Sequence, residues 1–482
     1  MSFIDLNEIN LEIITSSLVL FGFAGVMLLV SAFIKNLNAR FFVPFSILGI
    51  ILANNLYPLA GSGFYGLFNQ DGFSIIAKSI IMLASILYLL LFLRLDDKKP
   101  GEFYALFLFM VGALLFMVSS FNLIFIFIAL ETSSLALYSL IAISSNIKAT
   151  EAAIKYFSLG ALSAGLFTFG AAMLYLASGS LDIATISQNI SQNDLSKNMI
   201  VLLGASFLIA AMGFKLSLVP FHTWVRDVYE GASLELAGFI SVVPKVAASV
   251  VAIRVFKLLN DAGVSYISLA LSVLAIATMS VANIAALASK DLRSMLSYSS
   301  VSHAGFILVG VLIGSADSIT ALFFYWTILL FANLGAFGLL SAVKIDEGER
   351  YTHTADKFNG AIKTNPAFAL CFGLFAFTLA GIPPLGLFWA KALLISTAIS
   401  HSELALGIIM IINSAIAVAY YLKPVVAMFL KPNEKAIEIS LSLAQKISIG
   451  VACIMVACGL AFTDGILTVF NFIITSTEVF EF

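Results

Sequence analysis

The sequence predicts an all-α polytopic membrane protein of about fourteen transmembrane helices, containing two inverted five-helix repeats that each hold a broken helix. Composition is the first reason. Of 482 residues, 61% are hydrophobic and 11% charged, whereas a soluble domain carries about 25% charged residues. Apolar runs long enough to cross a bilayer recur along the whole chain, where a β-barrel would show ~10-residue alternating segments. Loop charge is the third reason, and it checks the count of spans.

The runs fall near 13–34, 41–60, 73–94, 103–119, 121–143, 153–178, 199–224, 234–256, 266–288, 297–314, 318–343, 366–399, 403–427 and 447–473. The first follows an acidic N-terminus with no basic region or small-residue cleavage site, and reads as a mature span rather than a signal peptide. The fourth and fifth nearly fuse at Ser119-Ser120-Phe121-Asn122. The twelfth is too long to be one simple crossing.

If the loops alternate sides, one set holds Lys35, Arg40, Arg94, Lys98, Lys99, Lys148, Arg226, Lys290, Arg293, Lys344, Arg350, Lys357, Lys363, Lys423, Lys431, Lys435 and Lys446, seventeen of the 25 basic residues. The opposite set holds Lys197 and, at the end of the eighth span, Arg254 and Lys257. Under the positive-inside rule the rich set faces the cytoplasm and both termini face outward.

Five lysines remain inside spans: Lys78, Lys155, Lys215, Lys245 and Lys391. Lys78 and Lys155 lie near a membrane surface, where snorkelling to the interface competes with a functional reading. Lys215, Lys245 and Lys391 lie deep, at a cost of about 2.5–3.5 kcal/mol each on insertion scales. Only Glu131, in "IALETSSLALY", lies clearly at mid-membrane as an acid. One acid cannot neutralise three lysines. Burial then favours the neutral form of some of them, which suits groups that take up and release protons. A purely structural core would use leucine.

The stretch "GFKLSLVPFHTW" places Pro220 five residues after Lys215, and "AGIPPLGLFWAK" places Pro383 and Pro384 before Lys391. Proline removes a backbone donor and breaks a helix. Broken helices at membrane depth are tolerated where the freed groups meet protein, water or an ion path. A break beside a lysine is therefore read as a hydrated proton site. Ala164–Gly170 and Ala332–Gly338 share A-x-L-x-x-F-G. With the two breaks, this match suggests that spans four to eight repeat as nine to thirteen, inverted. The implied division is 1–102, 103–260, 261–430 and 431–482. His303 is either a proton relay or a histidine satisfied within the bundle. His222 is either an intake-side group or a cap on the broken helix. Glu235 reads as an interface charge or an aid to proton uptake. Cys371, Cys453 and Cys458 have no C-x-x-C spacing, and no Walker A or G-x-G-x-x-G motif is present, so no metal, cluster or nucleotide site is expected.

The segments "EAAIKYFSLGALSAGLFTFGAAMLY", "GFKLSLVPFHTWVRDVYEGA", "SVVPKVAA", "KDLRSMLSYSSVSHAGFILVG" and "AGIPPLGLFWAK" resemble the antiporter-like subunit N of bacterial respiratory complex I, over nearly the whole chain. "KYFSLGA" and "DVYEGA…SVVPK" favour this subunit over its paralogues L and M. The resemblance implies that Glu131 pairs with Lys215, that Lys245 connects two half-channels, and that Lys391 serves the second. It implies a hydrated polar axis driven by redox chemistry on other chains. FMN, iron–sulfur clusters and quinone would then lie on partner subunits, with M-type and K/J-type neighbours in a bacterial inner membrane and no cofactor on this chain. Two departures stand out. Arg226 replaces the usual proline after the tryptophan, and Leu387 replaces a usual glycine. The competing readings are an Mrp-type cation/proton antiporter subunit without redox coupling and a structural scaffold whose lysines are only paired charges.

Overall fold

The computed structural model describes residues 10–34, 37–56, 60–93, 100–144, 146–343, 353–432 and 438–477. Lys35, Arg94, Lys98, Lys99, Lys344, Arg350 and Lys435 of the basic loop set lie outside the described residues. The chain runs through α1 (Thr15–Phe33), α2 (Ala39–Asn55), α3 (Gly72–Phe92), α4 (Pro100–Ser119), α5 (Leu123–Ala142), α6 (Ile147–Ser178), α7 (Ile183–Gln192), α8 (Met199–Leu216) and α9 (Trp224–Gly231). It continues with α10 (Leu234–Asp261), α11 (Tyr266–Ala288), α12 (Leu292–Ile313), α13 (Ala316–Ser341), α14 (Pro366–Ala380), α15 (Gly386–Ser400), α16 (Leu404–Leu430), α17 (Leu443–Ala457) and α18 (Gly459–Ser476). A small antiparallel ribbon pairs β1 (Gly61–Gly63) with β2 (Phe68–Gln70) before α3.

Polar residues set the helix starts. Asp71, Asn122, Asn146, Asn198, Asp291 and Ser442 each accept a hydrogen bond from a backbone N–H in the first turn that follows, satisfying donors that lipid cannot. Asn122 thereby separates α4 from α5 where the sequence nearly fuses them.

Eleven helices among the described residues are long and apolar enough to cross a membrane, or twelve if the α17–α18 pair, bent by 90°, is one span. The two other expected spans fall on shorter pieces. Residues 41–60 give α2, whose 17 residues rise about 26 Å at 1.5 Å each, short of the ~30 Å hydrocarbon core. Residues 366–399 divide into α14 and α15, because Pro383 and Pro384 supply no N–H to continue the ladder.

Burial orders the bundle. The most apolar stretch of α13 is wholly enclosed and that of α10 nearly so, whereas α1, α6, α11 and α16 present most of theirs outward. A helix apolar all round belongs at the centre, so α10 carries Lys245 into the middle of the protein. The short α9 is amphipathic: Trp224, Val225, Val228 and Tyr229 are buried, while Arg226, Asp227 and Glu230 stay partly exposed. It lies against α6 so closely that a Cβ on Gly231 would stand 2.3 Å from the Ala152 Cβ and 2.8 Å from the Lys148 carbonyl oxygen. Gly231→Ala is therefore expected to cost about 1–3 kcal/mol by overpacking. A thermal melt of the purified protein checks it, since the backbone oxygen cannot rotate away.

Candidate functional site

Both broken helices end their first half alike. α8 stops at Ser217 (φ 64°) and α14 at Gly381 (φ 79°), each in the left-handed region, with cis peptides at Val219–Pro220 and Pro383–Pro384. Lys215 lies in the last turn of α8. Lys391 lies in α15, but its ammonium reaches back to the α14 end, donating to the carbonyls of Ala380 (3.1 Å) and Leu379 (3.4 Å). The Lys391 ammonium thus sits at a carbonyl-rich, negative helix end. Gly381 is needed twice over: for its φ, and because a Cβ there would meet Lys391 Nζ at 3.0 Å.

Lys215 donates to Ser134 Oγ at 2.7 Å and lies 3.9 Å from Glu131 Oε1. That oxygen is buried and has no hydrogen-bond partner, so the pair is an ion pair in contact but not closed. Lys245 is 1% exposed and donates to the Ser300 carbonyl at 3.0 Å and Ser300 Oγ at 3.3 Å. Ser300 in turn donates to Tyr229 Oη at 3.2 Å.

α12 connects the central and distal lysines. Ser300, His303 and Phe306 follow one another at three-residue spacing on it, about 9 Å from first to last. The first holds Lys245, and Lys391 lies 5.5 Å from the centre of the Phe306 ring. Between them, His303 bonds Tyr325 Oη through Nδ1 (2.7 Å) and Tyr421 Oη through Nε2 (3.1 Å), and Tyr421 also bonds Ser299. His303 is therefore satisfied within the bundle and also lies on the line between the lysines. Tyr229, Tyr325, Tyr421, Ser134 and Ser300 were not singled out in the sequence. Only the density of serines in "SYSSVSHAG" hinted at them, because partner identity depends on which helices pack together.

Other expectations are corrected. Lys78 does not snorkel: it is 1% exposed and donates to Gln70 Oε1 at 2.7 Å. Arg254, read as a charge at the end of the eighth span, is fully buried inside α10 and paired with Asp71 at 2.7 Å, an acid the sequence reading did not single out. Glu235 is buried in the first turn of α10. Lys155 is half-exposed and pairs with Glu151 and Asp227, both at 2.8 Å, tying α6 to α9. His222 follows the first break and is half-buried; its Nδ1 has no partner and α9 receives no side-chain cap. Arg226 pairs with Glu230 at 2.8 Å, and Leu387 is wholly buried in α15.

Outside the spans, the 353–364 segment docks on the start of α12. The His353 N–H donates to Asp291 Oδ2 at 2.7 Å, and the Leu292 N–H to the His353 carbonyl at 2.9 Å. Burial, reinforced by Arg293, pushes the imidazole down to about 4. Below the unfolded value of about 6.5 the undocked loop binds the proton more readily than the docked one. Docking is therefore fully stable above pH ~6.5 and weakens as pH falls toward 4. Amide exchange across 353–364 should accelerate over that window, and His353→Asn should flatten the response.

Residues 120–417, well over half the chain, match the family described as "NADH:quinone oxidoreductase/Mrp antiporter, TM". The NADH-quinone oxidoreductase subunit N of Campylobacter concisus is 46% identical, with 97% of each chain covered. The chain belongs to the subunit N family. The fold of this subunit N family member also matches a chain of respiratory complex I from Thermus thermophilus (TM-score 0.79, 28% identity, covering 94% of this chain and 98% of that one). A chain of the Mrp complex from Dietzia shares the fold (TM-score 0.81, covering 97% and 98%) at only 18% identity.

Proposed function

We propose that this chain is the proton-translocating membrane-arm subunit of a respiratory NADH-quinone oxidoreductase in a bacterial cytoplasmic membrane, with both termini on the outer side. The observation that carries the reading is the set Glu131–Lys215, Lys245–Ser300–His303 and Lys391, three enclosed ammoniums with a single acid in contact among the described residues. Such an arrangement responds to charge. Protonation of Glu131, or a positive charge arriving near it, weakens its hold on Lys215 and favours proton loss there. The change in charge acts on Lys245 and then on Lys391 through low-dielectric protein. The second helix break keeps Lys391 beside the carbonyls of Leu379 and Ala380, which stabilise the charged form and let the ammonium be re-formed. Redox cofactors and quinone belong to partner chains, M-type and K/J-type subunits being the expected membrane neighbours. Nothing on this chain performs electron transfer in the proposal.

The test is the native particle in mild detergent. A particle of many subunits with iron–sulfur signals and quinone-reductase activity supports the reading. A small particle without redox centres, in membranes that exchange sodium or potassium for protons, supports cation/proton antiport instead.

A further inference from the structure

A second polar cluster lies at the opposite end of the bundle from α9, where α3 and α5 begin and α4 and α10 end. Asp71 Oδ1 receives Arg254 Nη2 (2.7 Å), the Ser74 N–H (2.8 Å) and the Ser74 hydroxyl (2.6 Å). Arg254 also donates to Ser74 Oγ (2.8 Å) and to the carbonyls of Val118 (2.6 Å) and Ser120 (3.2 Å). One step inward, Lys78 donates to Gln70 Oε1 and, at 3.5 Å, to the Ile13 carbonyl. The charged groups acting on Lys78 are Asp71 and Arg254. Buried atoms Asp71 Oδ2, Gln70 Nε2 and Arg254 Nε have no protein partner, a pattern that polar sites satisfy with water.

The cluster is joined in level to the lysine line. α3 and α10 pack antiparallel, with Ser74 bonded to Arg254 at one end and, at the other, a Cβ on Gly238 would lie 2.9 Å from Tyr88 Oη. Lys78 is four residues inward from Ser74, about 6 Å, and Lys245 nine residues inward from Arg254, about 14 Å. The two residues thus differ by about 8 Å in level along the bundle axis, with the Lys78 ammonium reaching toward Gln70 and the Lys245 ammonium toward Ser300. Ser249 falls between the two levels on α10, its hydroxyl bonded to the Lys245 carbonyl at 2.7 Å. On α3, Ser74, Lys78, Ser85 and Tyr88 continue as a buried polar stripe from end to end.

We propose that Lys78, held beside the Asp71–Arg254 pair, is a proton-release station through which Lys245 discharges to the outer side along the α3–α10 seam. The inference rests on the proposed role of Lys245 in carrying protons. Lys78 accepts a proton from the Lys245 side while neutral and passes it to water at the Asp71 end. The fixed Asp71–Arg254 pair closes the seam to other cations.

Lys78→Arg in the assembled complex is the test, because arginine keeps the charge and donors but does not release its proton. The readouts are protons pumped per electron and the dependence of quinone reduction on the pH of the outer compartment, with Lys245→Ala alongside. The expected result is an assembled complex in which Lys78→Arg lowers pumping at least fivefold and abolishes the outer-pH dependence, as Lys245→Ala does. If Lys245→Ala stops pumping while Lys78→Arg pumps normally, the release station is overturned and the lysine line stands. If Lys245→Ala pumps normally, the underlying reading fails first. Should Lys78→Arg not assemble, Lys78→Gln decides by the same readouts; if neither assembles, Lys78 is a fold element and the proposal is withdrawn.

Discussion

Lys391→Ala and Lys215→Ala are each expected to cut proton pumping by about tenfold or more, the scale on which a positioned proton-transfer group acts, while the complex still assembles. Assembly survives for a different reason at each site. Without Lys391 the carbonyls of Leu379 and Ala380 lose a donor, worth about 1–3 kcal/mol, which the surrounding packing absorbs. Without Lys215 the carboxylate of Glu131 loses its cation, but Glu131 keeps about a fifth of its side-chain surface exposed and can protonate. Glu131→Gln is the complementary change. It leaves Lys215 bonded to Ser134 and removes the charge that answers it, so pumping should fall with little change in subunit content. Dye-quench measurements of pumping normalised to quinone-reductase rate, with native gels for assembly, decide all three. Unchanged pumping in both lysine variants would remove the proton-site reading altogether.

Arg254→Ala is expected to have the largest effect on stability. It strands a buried carboxylate, and breaking a buried pair from one side costs about 3–5 kcal/mol. It also strips donors from the carbonyls of Val118 and Ser120 and removes the cation lying 4.1 Å from the centre of the Phe121 ring. These contacts hold α3, α10 and the α4–α5 turn together, so the subunit should be lost from the native particle. Replacing both partners, as in Asp71→Leu with Arg254→Met, is expected to restore part of the assembly, because desolvation of the pair offsets most of its attraction while the α3 cap and the donors to Val118 and Ser120 stay lost. If Arg254→Ala assembles at the normal level, the pair contributes little to the fold.

The class of protein, the two breaks and the three deep lysines were legible in the residues, because each rests on a local property. Lipid demands long apolar runs, proline cannot donate, and a buried ammonium is too costly to be incidental. Which groups answer those ammoniums was decided only by tertiary packing. Lys391 lies ten residues past Gly381 and yet bonds the carbonyls just before it, a fold-back that spacing does not reveal. Lys245 meets Ser300 across 55 residues, and His303 meets Tyr421 across 118. Arg254 read only as a charge at the end of the eighth span. Only the approach of α3, 180 residues earlier in the chain, buries it against Asp71. Sequence fixes where a charge is costly. The fold chooses the partner that makes it tolerable, since a side chain's surroundings in a bundle come from other helices.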